Sequence, residues 1–124
     1  MASWNEILDR FGHMPSQYDL VRREYLKQLS DYTGRNTILY YSAWLQKSLM
    51  ANGTFDFGIN DNDKTGFMTC IYQLDKAKGL DLILHTPGGD ISATESLVVY
   101  LQSIFGKDIR VIIPQMAMSA GTMI

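Results

Sequence analysis

Leu80-Asp81-Leu82-Ile83-Leu84-His85-Thr86-Pro87-Gly88-Gly89-Asp90 is the stretch on which the fold turns. Its first six residues are largely apolar and do not alternate, as in a strand covered on both faces. Thr86 to Asp90 then supply the proline, paired glycines and aspartate of a tight turn that opens a helix. That helix is expected over residues 92–105, with Leu97, Val98, Leu101, Ile104 and Phe105 on one face and Gly106 at its end. Ile109-Arg110-Val111-Ile112-Ile113 reads as the next strand. Strand, helix and strand without a hairpin turn make a βαβ unit, whose strands run parallel. The expected fold class is therefore α/β with a parallel sheet.

Upstream of Leu80, Gly79 ends a helix expected over about residues 64–78, and the Gly-, Asn- and Asp-rich run 52–63 is a loop that caps it. Asp56, Asp61 and Asp63 in that run lack the glycine and the closing glutamate of a calcium loop, so capping and solvation are their expected roles. Thr37-Ile38-Leu39-Tyr40-Tyr41 suits a first strand, followed by helix formers over residues 43–51. Ser3 with Glu6 has capping-box spacing for a short helix ending near Gly12, and Ser16 with Asp19 starts another that Gly34 closes. Tyr18, Val21, Tyr25, Leu29 and Tyr32 recur along it at helical spacing and are expected to pack. Residues 1–36 thus read as an N-terminal helical element ahead of an α/β domain over 37–124.

The 124 residues are 46% hydrophobic, enough for one globular core, and the net charge of −2 with interspersed signs disfavours nucleic acid or an anionic bilayer as partner. The single cysteine, Cys70, excludes an internal disulfide, and beside Met68, Ile71 and Tyr72 it is expected to be a buried, inert thiol. Neither a secretory signal nor an apolar run of about 18 residues is present, so a cytoplasmic protein without membrane association is expected. Asn52-Gly53-Thr54 is then simply a turn. Dinucleotide and phosphate-loop patterns are missing, and neither a cofactor nor a metal is expected.

In a parallel sheet, the loops leaving the C-terminal ends of neighbouring strands lie side by side, and ligands bind between them. Two such loops follow from the βαβ reading: Pro87-Gly88-Gly89 and the run from Pro114 to Gly121. Paired glycines let the backbone turn its N–H groups toward a ligand, as an oxyanion hole requires. In the second loop Ser119 is flanked by small residues and is expected in the first turn of a helix running into Met123 and Ile124, where free N–H groups favour negative charge. Ser119 would attack a carbonyl, with Gly88 or Gly89 and Ala120 as donors to the oxyanion. The nucleophile elbow Gly-x-Ser-x-Gly does not fit, because Ala117 stands where it needs glycine.

Leu82-Ile83-Leu84-His85-Thr86-Pro87-Gly88-Gly89, the helix after it, and Ala117-Met118-Ser119-Ala120-Gly121-Thr122 together resemble the Clp-protease/crotonase superfold. More closely, they resemble the serine dehydrogenase proteinase family, related to signal peptide peptidase A. Thr33-Gly34-Arg35-Asn36-Thr37-Ile38-Leu39-Tyr40-Tyr41-Ser42 is similar to the N-terminal region of that family. The resemblance implies a serine peptidase acting on peptide or protein substrates through Ser119, with oxyanion donors at Gly88 or Gly89 and Ala120. It also implies assembly into a homo-oligomer. The base it implies, a lysine or a histidine with an aspartate, would stand well downstream of the serine, so a fragment with an incomplete α/β domain is expected.

Among the other polar residues, His85 lies at the strand end near the crevice. It could be proposed as the base, but a hydrogen bond to backbone is the expected role. His13 is expected at the surface, Asp90 and Glu95 suit the start of the following helix, and Asp9, Arg10, Arg22, Arg23 and Lys27 are expected on solvated helix faces. Two other readings compete with the peptidase: a crotonase-type acyl-CoA enzyme, which uses the same pair of oxyanion donors without a nucleophilic serine, and a non-catalytic assembly module.

Overall fold

The computed structural model describes Glu6, Asp9 and residues 17–47 and 57–124. Of the first expected helix only Glu6 and Asp9 are described, both helical. Its remainder, Arg10, His13, Asn52-Gly53-Thr54 and Asp56 lie outside the described residues.

Helix α1 (Gln17–Thr33) ends where Gly34, at φ 69°, donates its N–H to the Ser30 carbonyl at 2.8 Å. It packs against β1 (Asn36–Tyr41), one of the two edge strands of the sheet. That contact is narrow. Val21 is buried, but Tyr18, Tyr25 and Tyr32 remain exposed, so the expected tyrosine stripe is not a packed one. After β1 come α2 (Trp44–Lys47) and α3 (Asp61–Ile71). Asn60 caps α3 through a reciprocal capping box: its side chain accepts from the backbone of the first turn, and its own N–H donates to Asp63 Oδ2 at 2.8 Å. Asp63 therefore has the capping role expected of it.

The helix expected over 64–78 starts earlier and is split. After α3, Asp75 caps a separate 3-10 turn, Lys76–Lys78, by accepting from Ala77 N. The break is held from a distance, since Asn36 Nδ2 donates to the carbonyls of Asp75 at 2.7 Å and Gly79 at 2.8 Å. Cys70 is exposed, which corrects the expected buried thiol. Phe67 and Ile71, four residues apart, are the side chains α3 turns inward, and Met68 and Tyr72 point outward with the cysteine.

Strand β2 (Leu80–His85), helix α4 (Ile91–Phe105) and strand β3 (Ile109–Ile112) form the expected βαβ unit. The sheet has three strands in the order β1-β2-β3, all parallel, with Leu82 opposite both Ile38 and Val111. Leu80, Leu82 and Leu84 point to one face and meet Phe67, Ile71, Leu97, Leu101 and Phe105 in a single core. The opposite face is less covered, and Ile112, which alternates onto it from β3, is exposed.

Asp81 also lies on that opposite face, with its carboxylate fully buried. Arg110, its partner across β3, donates from Nε at 2.8 Å and Nη2 at 2.5 Å, and Arg35 Nε donates at 2.6 Å. Arg35 also bonds Asp108 Oδ1 and the carbonyl of Leu80. The hydrogen bond from Arg110, and after it that from Arg35, hold the Asp81 carboxyl below the usual carboxylate range despite its burial. This network ties all three strands together at their N-terminal ends.

Candidate active site

At the C-terminal end of β2, Thr86 continues the pairing toward β3. Its N–H donates to the Met116 carbonyl at 3.2 Å, and its carbonyl accepts from Met118 N at 3.1 Å. The two expected loops therefore leave adjacent strands and come together again at Thr86 and Ala117. Thr86 Oγ1 accepts the Gly88 N–H at 3.1 Å, the local side-chain turn that threonine favours, and so engages one of the two glycine donors.

Gly88 sits at φ 100°, where a side chain is strained, and it is also the point of closest approach. A β-carbon there would stand 2.7 Å from the Met118 carbonyl oxygen, 2.7 Å from Ser119 Cβ and 3.1 Å from Ala120 N. Gly89 is held from another direction, by the segment just before α3. Ile59 N donates to the Gly88 carbonyl at 2.8 Å, and Asp90 N donates to the Ile59 carbonyl at 2.9 Å. Asp90 is the cap of α4, accepting from Ala93 N at 2.6 Å.

Ser119 is exposed and adopts φ 51°, one of two non-glycine residues with a positive φ among those described. A serine in the left-handed region is costly, and such strain collects at functional positions. The expected α-helix after it is instead a 3-10 helix, Ser119–Met123, too short for a useful helix dipole. Gly121 lets this turn settle on the sheet, because a β-carbon there would lie 2.5 Å from Thr86 Cγ2. Among the described residues, the N–H groups of Gly89 and Ala120 and the Ser119 hydroxyl have no hydrogen-bond partner. The structure thus brings Gly88 against Ser119 and Ala120, with Gly89 next to it in the chain.

His85 differs from its expected role. It is 3% exposed, stacks on Tyr41 with centroids 4.8 Å apart and on Trp44 at 6.3 Å, and neither ring nitrogen has a partner among the described residues. It therefore bonds neither backbone nor Ser119. Beyond the β1–β2 ladder, its carbonyl accepts from Ser42 N at 3.1 Å and Ser42 Oγ at 3.3 Å. No group of three or more His, Cys, Asp or Glu side chains among the described residues could hold a metal ion. No helix among them is long and apolar enough to cross a membrane. Two features were missed in the sequence: the Ile59 contact with the glycine turn, and the Asp81 network. The signal for the second was an aspartate inside an apolar strand.

The family described as ClpP-like SDH-type serine proteinase matches residues 12–124. Uncharacterized protein MJ0137 of Methanocaldococcus jannaschii is 34% identical over 110 residues, covering 87% of this chain and 37% of its own length. The chain thus spans little more than a third of that relative. No solved structure matches it significantly.

Proposed function

The chain belongs to the family of ClpP-like SDH-type serine proteinases, and on that premise we propose that it is a serine peptidase whose nucleophile is Ser119. The observation that carries the reading is the contact of the strained Ser119 with Gly88, and the unpartnered N–H groups of Gly89 and Ala120 support it. Ser119 Oγ attacks the scissile carbonyl carbon of a peptide or protein substrate and gives its proton to a general base. The carbonyl oxygen becomes an oxyanion held by the N–H groups of Gly89 and Ala120. Collapse expels the amine, which takes the proton from the base, and water then releases the acyl group from Ser119 as a carboxylate.

Gly88 serves this arrangement mainly through its missing side chain, since its N–H is engaged by Thr86. Removing one well-placed oxyanion donor typically costs about 10²–10³ in rate. The base adds about 10²–10⁴. His85 does not supply it, because its buried ring makes no bond to Ser119. We assign it to a lysine, or a histidine with an aspartate, brought to Ser119 from outside the described residues. The exposed Ile112, Ile113, Met116, Met118 and Met123 around this end of the sheet support assembly with further copies. The single cysteine and the mixed charge support a cytoplasmic site of action.

The experiment is covalent labelling with a fluorophosphonate followed by peptide mapping. Modification at Ser119, absent from Ser119→Ala, is the expected result; modification at another residue with Ser119 left unlabelled sinks the assignment.

A further inference from the structure

The Gly88–Gly89 peptide unit faces a problem that its sequence alone does not solve. With no β-carbon on either residue, the plane can rotate at little steric cost, and rotation by half a turn exchanges the direction of its N–H for that of its C=O. One orientation offers a donor to an oxyanion. The other presents a carbonyl oxygen to it and repels it. A peptide that samples both would stabilise the transition state only part of the time, whereas effective electrostatic catalysis needs the dipole fixed beforehand.

The structure supplies a fixture on one side. Ile59 N donates to the Gly88 carbonyl at 2.8 Å, and the Ile59 carbonyl accepts from Asp90 N at 2.9 Å, so one residue grips the turn on both sides of Gly89. A β-carbon on Gly89 would overlap the Ile59 backbone, so the approach needs glycine there. Ile59 is itself held firmly. Its side chain is 1% exposed, and the next residue, Asn60, is locked into the capping box of α3. Asp63, which closes that box, also accepts from the Tyr40 hydroxyl at 3.1 Å, tying the segment to β1. In a trans peptide the C=O and the following N–H point in opposite directions. With the Gly88 carbonyl held by Ile59, the Gly89 N–H is turned away from Ile59.

Resting on the assignment of Ser119 as nucleophile, we propose that Ile59 is a positioning residue: by holding the Gly88 carbonyl, its backbone N–H keeps the Gly89 N–H aimed into the crevice beside Ser119. Ile59 touches neither substrate nor reacting atoms. It acts through the orientation of one peptide plane.

The test compares Ile59→Pro, which removes the donor, with Ile59→Val, which keeps it, in the full chain. The readout is phosphonylation of Ser119 by a fluorophosphonate, resolved into the affinity of the initial complex and the first-order step. Ile59→Pro is expected to slow the first-order step by about 10-fold or more with less than about a 2-fold change in affinity, and Ile59→Val to stay within about 2-fold on both. If proline prevents folding, an ester in place of the Ile59 amide, installed by ligation at Cys70, removes the same N–H and is expected to give the same loss. A folded proline or ester variant that reacts at the parental rate overturns the proposal. Reaction of the parent chain at another residue, with Ser119 left unlabelled, overturns the nucleophile assignment instead, and the role of Ile59 with it.

Discussion

The α-carbon of Gly88 lies so close to Ser119 that a β-carbon added to the glycine would stand 2.7 Å from the β-carbon of the serine. That contact and the glycine's φ of 100° make Gly88→Ala unfavourable on two independent grounds. We expect it to destabilise the chain by about 1–3 kcal/mol and to slow acyl transfer by about 10²-fold, the usual consequence of displacing a reacting group by about 1 Å. Urea denaturation and phosphonate labelling of the folded fraction check the two parts separately. An alanine variant that labels normally would show that the turns are further apart in solution.

Ser119 at φ 51° makes no side-chain hydrogen bond among the described residues, so its hydroxyl adds little to stability while its backbone conformation costs some. Ser119→Ala and Ser119→Gly should both abolish acyl transfer. They should differ in stability, the glycine variant standing about 1 kcal/mol above the alanine variant because glycine occupies the left-handed region freely. Equal unfolding midpoints would argue against the strained backbone.

Asp81 binds two guanidinium groups from a fully buried carboxylate, and asparagine cannot satisfy both. Asp81→Asn should cost about 1–3 kcal/mol at neutral pH. Its carboxyl is held below the ordinary value, so the ionised form stabilises the fold fully above the unfolded carboxyl value of about 3.9 and loses this contribution as pH falls through the lower folded value. The stability difference between parent and variant should therefore narrow below about pH 4. A difference that stays constant down to pH 2 would assign the effect to packing.

Cys70 is exposed on α3, and its thiol should react with an aromatic disulfide in the native chain without denaturant. Cys70→Ser should change stability by less than about 0.5 kcal/mol, as most surface substitutions do. Reaction only after unfolding would restore the buried thiol expected from the sequence.

The βαβ unit was legible because each of its signals is local: the apolar run of β2, the Pro-Gly-Gly turn, the spacing of Leu97, Leu101 and Phe105, and the glycine at the end of α4. Gly88, Gly89, Ser119 and Ala120 followed from it, since parallel adjacent strands bring their loops together. What escaped depends on partners distant in sequence. Asn36 breaks the helix expected through residue 78 by binding carbonyls at Asp75 and Gly79, and nothing between 64 and 78 announces it. Ile59 grips the glycine turn with backbone groups that every residue except proline carries in full, in a stretch that reads only as loop. The aspartate of β2 needed the register with Arg110 before its role could be seen. His85 read as an ordinary strand-end histidine because two aromatic rings above it come from β1 and α2.

The Asp81 network and the Ser119 turn lie at opposite ends of the central strand, and the run from Asp81 to Thr86 spans about 17 Å at about 3.3 Å per residue. They share no side-chain partner among the described residues. Changes in free energy at such distances combine by simple addition, to within about 0.5 kcal/mol. A double variant carrying Asp81→Asn and Ser119→Gly should accordingly show the sum of the two single effects on unfolding. The chain can then be made more rugged at one end without disturbing the other, so selection for durability and selection for chemistry act on separate sets of residues.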